Sequence, residues 1–273
     1  MIKTTEQASG YDHLEQRSVP ELLRAINAED AKVSGAVHEA LPAIERLVEQ
    51  IVPRMRRGGR LFYIGAGTSG RLGILDASEM PPTYGVPATW VIGLIAGGDG
   101  AIRRAVEGAE DDEQGAWRDM ASYSPTPDDT LIGIAASGTT PYVIGGLRQA
   151  RQAGLLTGSI TCNTGSPVAS EAEYSVEVVV GPEFVTGSTR MKAGTAQKMV
   201  LNMVSTTLMI QLGRVSGNRM VYMQPTNQKL IDRGTRMILA ARDVSPEQAR
   251  ELLLRHGSVQ KALEWLDQNN GNS

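Results

Sequence analysis

The chain has 273 residues, 41% of them apolar and 21% charged, and a net charge of −3. That length and composition suit a soluble globular chain with a large core, and the acidic balance with scattered Lys and Arg argues against a nucleic-acid surface. The single cysteine, Cys162, excludes an internal disulfide and fits a reducing cytoplasm, and the histidines at 13, 38 and 256 lack metal-ligand spacing.

Along the chain, the opening MIKTTEQASGYDH has no apolar stretch of the signal-peptide kind. No apolar run approaches the roughly 20 residues of a membrane span. Residues 1–59 read as helical. Ser18 and Glu21 have capping-box spacing before PELLRAI, and Asn27 is expected to cap a second helix with Glu29 and Asp30 in its first turn. Leu41, Ile44, Leu47, Val48 and Ile51 fall at helical spacing, while Pro42 and Pro53 are expected to start, kink or break helices.

After Gly58-Gly59 the pattern changes. Short apolar runs at 60–65, 88–95, 130–136, 157–163 and 175–181 lack strict alternation, as strands covered on both faces do. Helical stretches such as 141–154 separate most of them, which predicts an α/β fold: a parallel five-stranded sheet in a three-layer αβα sandwich. A long apolar helix is expected over 192–212 and another over about 227–241. Ser245 and Ser258 then cap two short helices broken at Gly257. Cys162, at a strand end with no histidine nearby, reads as a buried small hydrophobe.

Residues 63–73, YIGAGTSGRLG, place Gly65, Gly67 and Gly70 in the G-x-G-x-x-G pattern of dinucleotide sites. A nicotinamide site also wants an acid at the end of the second strand for the ribose hydroxyls. Asp99, the one nearby acid, follows two glycines and is better placed to cap the helix AIRRAVEG. The hydroxyls carry a different reading. Gly67, Thr68 and Ser69 follow the first strand, and Ser137, Gly138, Thr139 and Thr140 follow the third. Both turns lead into helix starts on one sheet edge, which describes a phosphate cradle of neutral donors. No G-x-x-x-x-G-K-[ST] is present, so a P-loop is not supported. Acids near these turns are Asp76 and Glu79, then Glu107, Glu110, Asp111, Asp112 and Glu113.

The segments GRLFYIGAGTSGRLGILDASEMPPTYGVP, IAGGDGAIRRAVEGAEDD, IAASGTTPYV and FVTGSTRMKAGTAQKMVLNM resemble the N-acetylmuramic acid 6-phosphate etherase family of the sugar-isomerase (SIS) fold. The likeness runs from TTEQ to MQPTNQKL, and the glucokinase regulatory protein is a related non-catalytic branch. The resemblance implies cleavage of the D-lactyl ether of N-acetylmuramic acid 6-phosphate, with Glu79 as acid and Glu110 as base. It implies a homodimer with the site near the subunit interface, and no metal or cofactor. Lys192, with Arg190, is a candidate for anion binding. The organisation expected is a helical segment 1–59 packed on an SIS domain 60–241, followed by a small helical appendage 242–273. Two departures stand out: Thr139 occupies the place of an arginine in the family's SGRTPY, and Tyr222 that of the acid in M-V-D. A sugar-phosphate regulator and a ketose–aldose isomerase remain the competing functions.

Overall fold

The structure is a computed structural model that describes residues 3–270. Five parallel strands, β1 (Leu61–Gly65), β2 (Val91–Ile95), β3 (Thr130–Ala135), β4 (Leu156–Thr161) and β5 (Tyr174–Glu177), form one sheet in the order β2-β1-β3-β4-β5. The register sets Gly65 of β1 beside Ile95 of β2 on one side and Ile134 of β3 on the other. Each expected strand is present: β1, β2 and β3 are shorter than the expected runs, while β4 and β5 begin one residue earlier and end sooner.

Eleven α-helices are present among the described residues: α1 (Val19–Asp30), α2 (Val33–Arg56), α3 (Gly67–Tyr84), α4 (Gly100–Arg103), α5 (Gly115–Ala121), α6 (Pro141–Gln152), α7 (Pro167–Glu171), α8 (Lys192–Gln211), α9 (Gln228–Leu239), α10 (Pro246–His256) and α11 (Val259–Asn270). Single 3-10 turns cover Thr4–Glu6, Leu14–Gln16 and Ala109–Asp111.

Alternation along the strands divides the core into two layers. Phe62, Ile64, Leu131 and Ala135 join Ala116 and Met120 of α5 and Tyr142, Val143 and Leu147 of α6. On the other face the glycines show how close the helices lie. A Cβ on Gly158 would stand 2.8 Å from Leu47 of α2, and one on Gly73 of α3 would stand 3.0 Å from the Tyr63 side chain.

Two local expectations are corrected. Asn27 does not start a helix: α1 runs through it to Asp30, after the Ser18–Glu21 capping box that the spacing predicts. Pro42 and Pro53 do not break α2, which is continuous from Val33 to Arg56. An interior proline costs about 3 kcal/mol. The apolar stripe Val37, Ala40, Ile44, Leu47, Val48, Ile51, Val52 and Met55 is buried along the whole helix and outweighs that cost.

The chain separates into two compact units. The first comprises residues to Ala77 with Trp90–Leu208, and so takes the N-terminal helices and the whole sheet. The second comprises Ser78–Thr89 and everything from Met209. Its core is Val221, Ile238, Ala249, Leu252, Leu253, Val259, Ala262 and Leu266. The strand of chain at 78–89 is held there by the Gln224 N–H bond to Pro82 O (3.2 Å) and by Gly85, whose absent Cβ leaves room for the Tyr222 carbonyl.

Candidate active site

Strand order decides where ligand chemistry belongs. From β1 the chain goes to β2 on one side, while β3, β4 and β5 build outward on the other. The carboxyl ends of β1 and β3 therefore flank the switch point, the place where open α/β sheets open a crevice. The turns that follow these two strands are the two hydroxyl-bearing stretches.

The first begins with Gly67 at φ +52°, and α3 starts there, so Thr68 and Ser69 lie in the opening turn of a helix rather than in a loop before it. Gly65 and Gly70 serve packing: a Cβ on Gly70 would stand 2.6 Å from both Gly65 O and Ile95 Cγ1. Their spacing brings α3 down onto β1 and needs no dinucleotide to explain it. Asp99 sits just before α4, but its side chain makes no capping bond, and the helix it precedes has only four residues. Ser69 is buried and donates its hydroxyl to Gln197 Oε1 of α8 at 3.0 Å. Gln197 is 1% exposed, and its Nε2 has no partner among the described residues. Thr68 packs beside Gly194, whose missing Cβ would lie 3.5 Å from Thr68 Cγ2.

In the second turn Gly138 has φ +71°, and a Cβ there would stand 2.3 Å from the Ser166 side chain. Ser137 Oγ accepts from the Thr139 N–H at 3.3 Å and from its hydroxyl at 3.1 Å. Thr140 occupies the N-cap of α6, yet its side chain makes no capping bond. Helix capping alone therefore does not account for the Thr140 hydroxyl. Asn163, fully buried, supports this turn from behind by donating to Ser137 O at 3.0 Å and to Thr5 Oγ1 at 2.8 Å. The Thr4–Glu6 turn is thus tied to the floor of the second loop.

The N-terminus of α8 closes against its own carboxylate. Glu183, 1% exposed, accepts from the Lys192 and Ala193 N–H groups at 2.9 Å each. Lys192 is turned inward and lies 2.6 Å from Glu29 Oε2, with its side chain 3% exposed. Its charge is matched within the fold. Arg190 is exposed and has no partner among the described residues. Cys162 is fully buried at the end of β4, and burial, with the Glu183 charge, pushes its thiol up to about 12.

A cleft of about 300 Å³ opens beside the first turn, lined by Gly67 and Arg71 on α3, by Ala66 and Ala96 after β1 and β2, and by residues 105–110. Arg71 donates to Ile102 O and Ala101 O at 2.8 Å each and so fixes α4 against α3. Glu110, exposed on its 3-10 turn, belongs to the cleft wall and has no partner among the described residues. Two other acids of the run are engaged: Asp112 with Arg118, and Glu113 with Arg148 at 3.1 Å. Glu79 is exposed on α3. Asp76, by contrast, is buried and accepts from Tyr63 at 3.1 Å and Ser205 at 3.0 Å, a structural role. Arg71, Asn163 and Gln197 escaped the sequence reading. Only Gln197 left a signal, as a polar residue within the apolar helix 192–212.

A parallel five-stranded sheet with helices on both faces and hydroxyl turns at its switch point is the architecture of the SIS fold class. The SIS domain family matches residues 109–207, and the glucokinase regulatory protein N-terminal SIS domain family matches residues 43–151. Among solved structures, phosphoheptose isomerase from Neisseria gonorrhoeae superposes with a TM-score of 0.53 at 15% identity, covering 70% of this chain and 98% of that one. A phosphoheptose isomerase from Francisella tularensis gives 0.51 at 18% identity, covering 71% and 98%. Both share the fold. Closer in sequence is the N-acetylmuramic acid 6-phosphate etherase of Porphyromonas gingivalis, 65% identical over 266 residues and covering 97% of each chain. Those of Bacteroides thetaiotaomicron (62% identical; 96% of this chain, 95% of that one) and Salmonella agona (52%; 93% and 85%) also match. The chain belongs to the N-acetylmuramic acid 6-phosphate etherase family.

Proposed function

We propose that the chain is a lyase that converts N-acetylmuramic acid 6-phosphate and water to N-acetylglucosamine 6-phosphate and D-lactate. The observation that supports it most is the pairing of two neutral-donor turns at the β1/β3 switch point with a free carboxylate, Glu110, on the wall of the adjoining cleft. The free N–H groups at the starts of α3 and α6, with Thr68 and Thr140, hold the 6-phosphate. Small residues (Gly67, Gly138) let the phosphate approach the backbone.

The reaction needs proton transfer at two atoms. With the sugar ring open, C2 lies next to an aldehyde and its proton becomes acidic. Glu110 takes that proton, the electron pair forms the C2–C3 double bond, and the C3–O bond breaks. A protonated Glu79 gives its proton to the departing lactate oxygen. Water then adds to C3, C2 is reprotonated, and the ring closes. One carboxyl must begin charged and the other neutral, so their surroundings in the complex must push their proton affinities apart.

The site lies near a subunit interface, and the Glu79 that serves a given cradle comes from a second copy of the chain. This is a homodimer with shared sites, acting in the cytoplasm on amino sugars from the cell wall. The test is D-lactate release from the muramic 6-phosphate. Glu79→Gln and Glu110→Gln each abolish it on their own. When the two variants are unfolded together and refolded, mixed dimers regain one intact site, and activity returns to about a quarter of wild type by random pairing. No recovery after mixing would refute the shared site, and near-normal turnover in either variant would remove that residue from the mechanism.

A further inference from the structure

The second compact unit contains a cleft of about 290 Å³ whose polar lining is entirely cationic: Arg219, Arg233 and Arg236, with Met237 and Ala240. Arg233 and Arg236 stand three apart on α9 and share a face with Met237 and Ala240. Arg219 is presented by a tight turn in which Ser216 and Arg219 exchange backbone N–H bonds at 3.1 and 3.0 Å around Gly217, at φ +58°.

Among the described residues none of the three forms an ion pair with a carboxylate, whereas several other arginines do. Arg57 pairs with Asp128, Arg60 with Asp129, Arg148 with Glu113 and Glu171, and Arg242 with Asp267. Among the described residues, the side chains of Arg219 and Arg233 make no hydrogen bond or ion pair, and Arg236 donates through Nε to Asp232 O at 3.3 Å. The Asp232 carboxylate is engaged by Gln228 (2.5 Å) and Arg250 (3.9 Å). The negative end of the α9 dipole gives Arg236 a reason to be in the last turn. It gives none to Arg219, which comes from another segment, nor to Arg233. The three arginines line one concavity, and no acidic residue belongs to that lining.

We propose that this cleft is an additional anion site and that it takes a phosphomonoester. Planar guanidinium forks bind phosphate oxygens in pairs. A dianionic phosphomonoester meets most of the triple positive charge, whereas a monocarboxylate leaves two cations unmatched. The site does not depend on the etherase reading, because none of its residues belongs to the cradle or the proton-transfer pair.

Calorimetric titration of the full chain with inorganic phosphate at low salt tests it. Wild type binds two equivalents per chain. Arg219→Gln/Arg233→Gln keeps one and binds the second at least about tenfold more weakly, as loss of charge-assisted bonds dictates. Lactate release at saturating substrate is unchanged. Arg219→Lys/Arg233→Lys, which keeps charge but loses the forks, falls between the two and serves if the glutamine variant does not fold. Parallel titrations with N-acetylglucosamine 6-phosphate and adenosine 5′-monophosphate separate a sugar source from a nucleotide source. Equal stoichiometry and affinity in wild type and variant would overturn the proposal, as would equal binding of D-lactate at this cleft. A loss of turnover in step with the second equivalent would overturn it too, by assigning the arginines to the catalytic site. If wild type releases no lactate, the phosphate count still reads the arginine site, so the two conclusions fail separately.

Discussion

At Glu29 the carboxylate accepts from three donors: Lys192 at 2.6 Å, Lys32 at 2.6 Å and Tyr11 at 3.0 Å. Burial by itself disfavours its charge, but the hydrogen bonds from Lys192, Lys32 and Tyr11 outweigh burial and bring its pKa down from 4.5 to about 2. A carboxyl whose folded value is depressed stabilises the fold above its unfolded value and loses that contribution as pH falls. Stability should therefore decline between about pH 4.5 and 2, and thermal melting across that range reads it. In Glu29→Gln that part of the acid limb is missing. At neutral pH the same variant leaves the Lys192 charge buried without its partner and loses about 3–5 kcal/mol by urea denaturation. Thr139 offers a test of a different kind. It stands in a cradle of neutral donors, so Thr139→Arg should lower KM for the phosphorylated sugar several-fold, more at low salt than at high. An unchanged KM would mean that the cradle does not lack a cation.

Among the elements, the two turns rest on glycines for different reasons. Gly138 needs both its left-handed φ of +71° and the absence of a Cβ that would stand 2.3 Å from Ser166. Gly138→Ala therefore displaces the turn that carries Ser137, Thr139 and Thr140. KM should rise about tenfold or more with a smaller change in kcat, as for a lesion in binding rather than proton transfer. The helix ends obey simpler rules. Ser245 accepts from the Gln248 N–H at 3.2 Å, and Gln248 returns a bond to the Ser245 N–H at 3.1 Å. Ser245→Ala should cost about 1 kcal/mol, measured as a shift of the chemical denaturation midpoint. Such caps were legible from spacing because both partners lie within one turn. The path of α2 through Pro42 and Pro53 was not, since the buried stripe that overrides two prolines gains its value only against the sheet.

For the whole molecule, the division into two units runs at Leu208/Met209 and borrows Ser78–Thr89, instead of falling at 241/242 as the change in sequence pattern suggests. The second unit has its own core, in which the Leu253 side chain lies 2.6 Å from the position a Cβ on Gly234 would take. Leu253→Ala empties a fully buried site there and should destabilise by about 2–5 kcal/mol. Fluorescence of Trp265, which stacks with His256 in this unit at 5.7 Å, should report that loss at lower denaturant than probes in the sheet. Coincident, unshifted transitions would show that the two units unfold as one.

By itself, the sequence determined the sheet and the family. Short unalternating apolar runs demand burial on both faces, glycines at 65 and 70 demand a close strand–helix approach, and hydroxyls at two helix starts demand an anion or water. All of these are local constraints written within a few residues of one another. Only the tertiary structure decided which charges are free. Lys192 and Glu29 are 163 residues apart, and Ser69 and Gln197 are 128 apart, yet each pair meets inside the core. Long-range packing thus withdrew Lys192 from the surface, left Glu110 exposed on a cleft wall, and gathered three arginines without an acidic partner around one concavity. Pairing depends on distances that no short stretch of chain encodes.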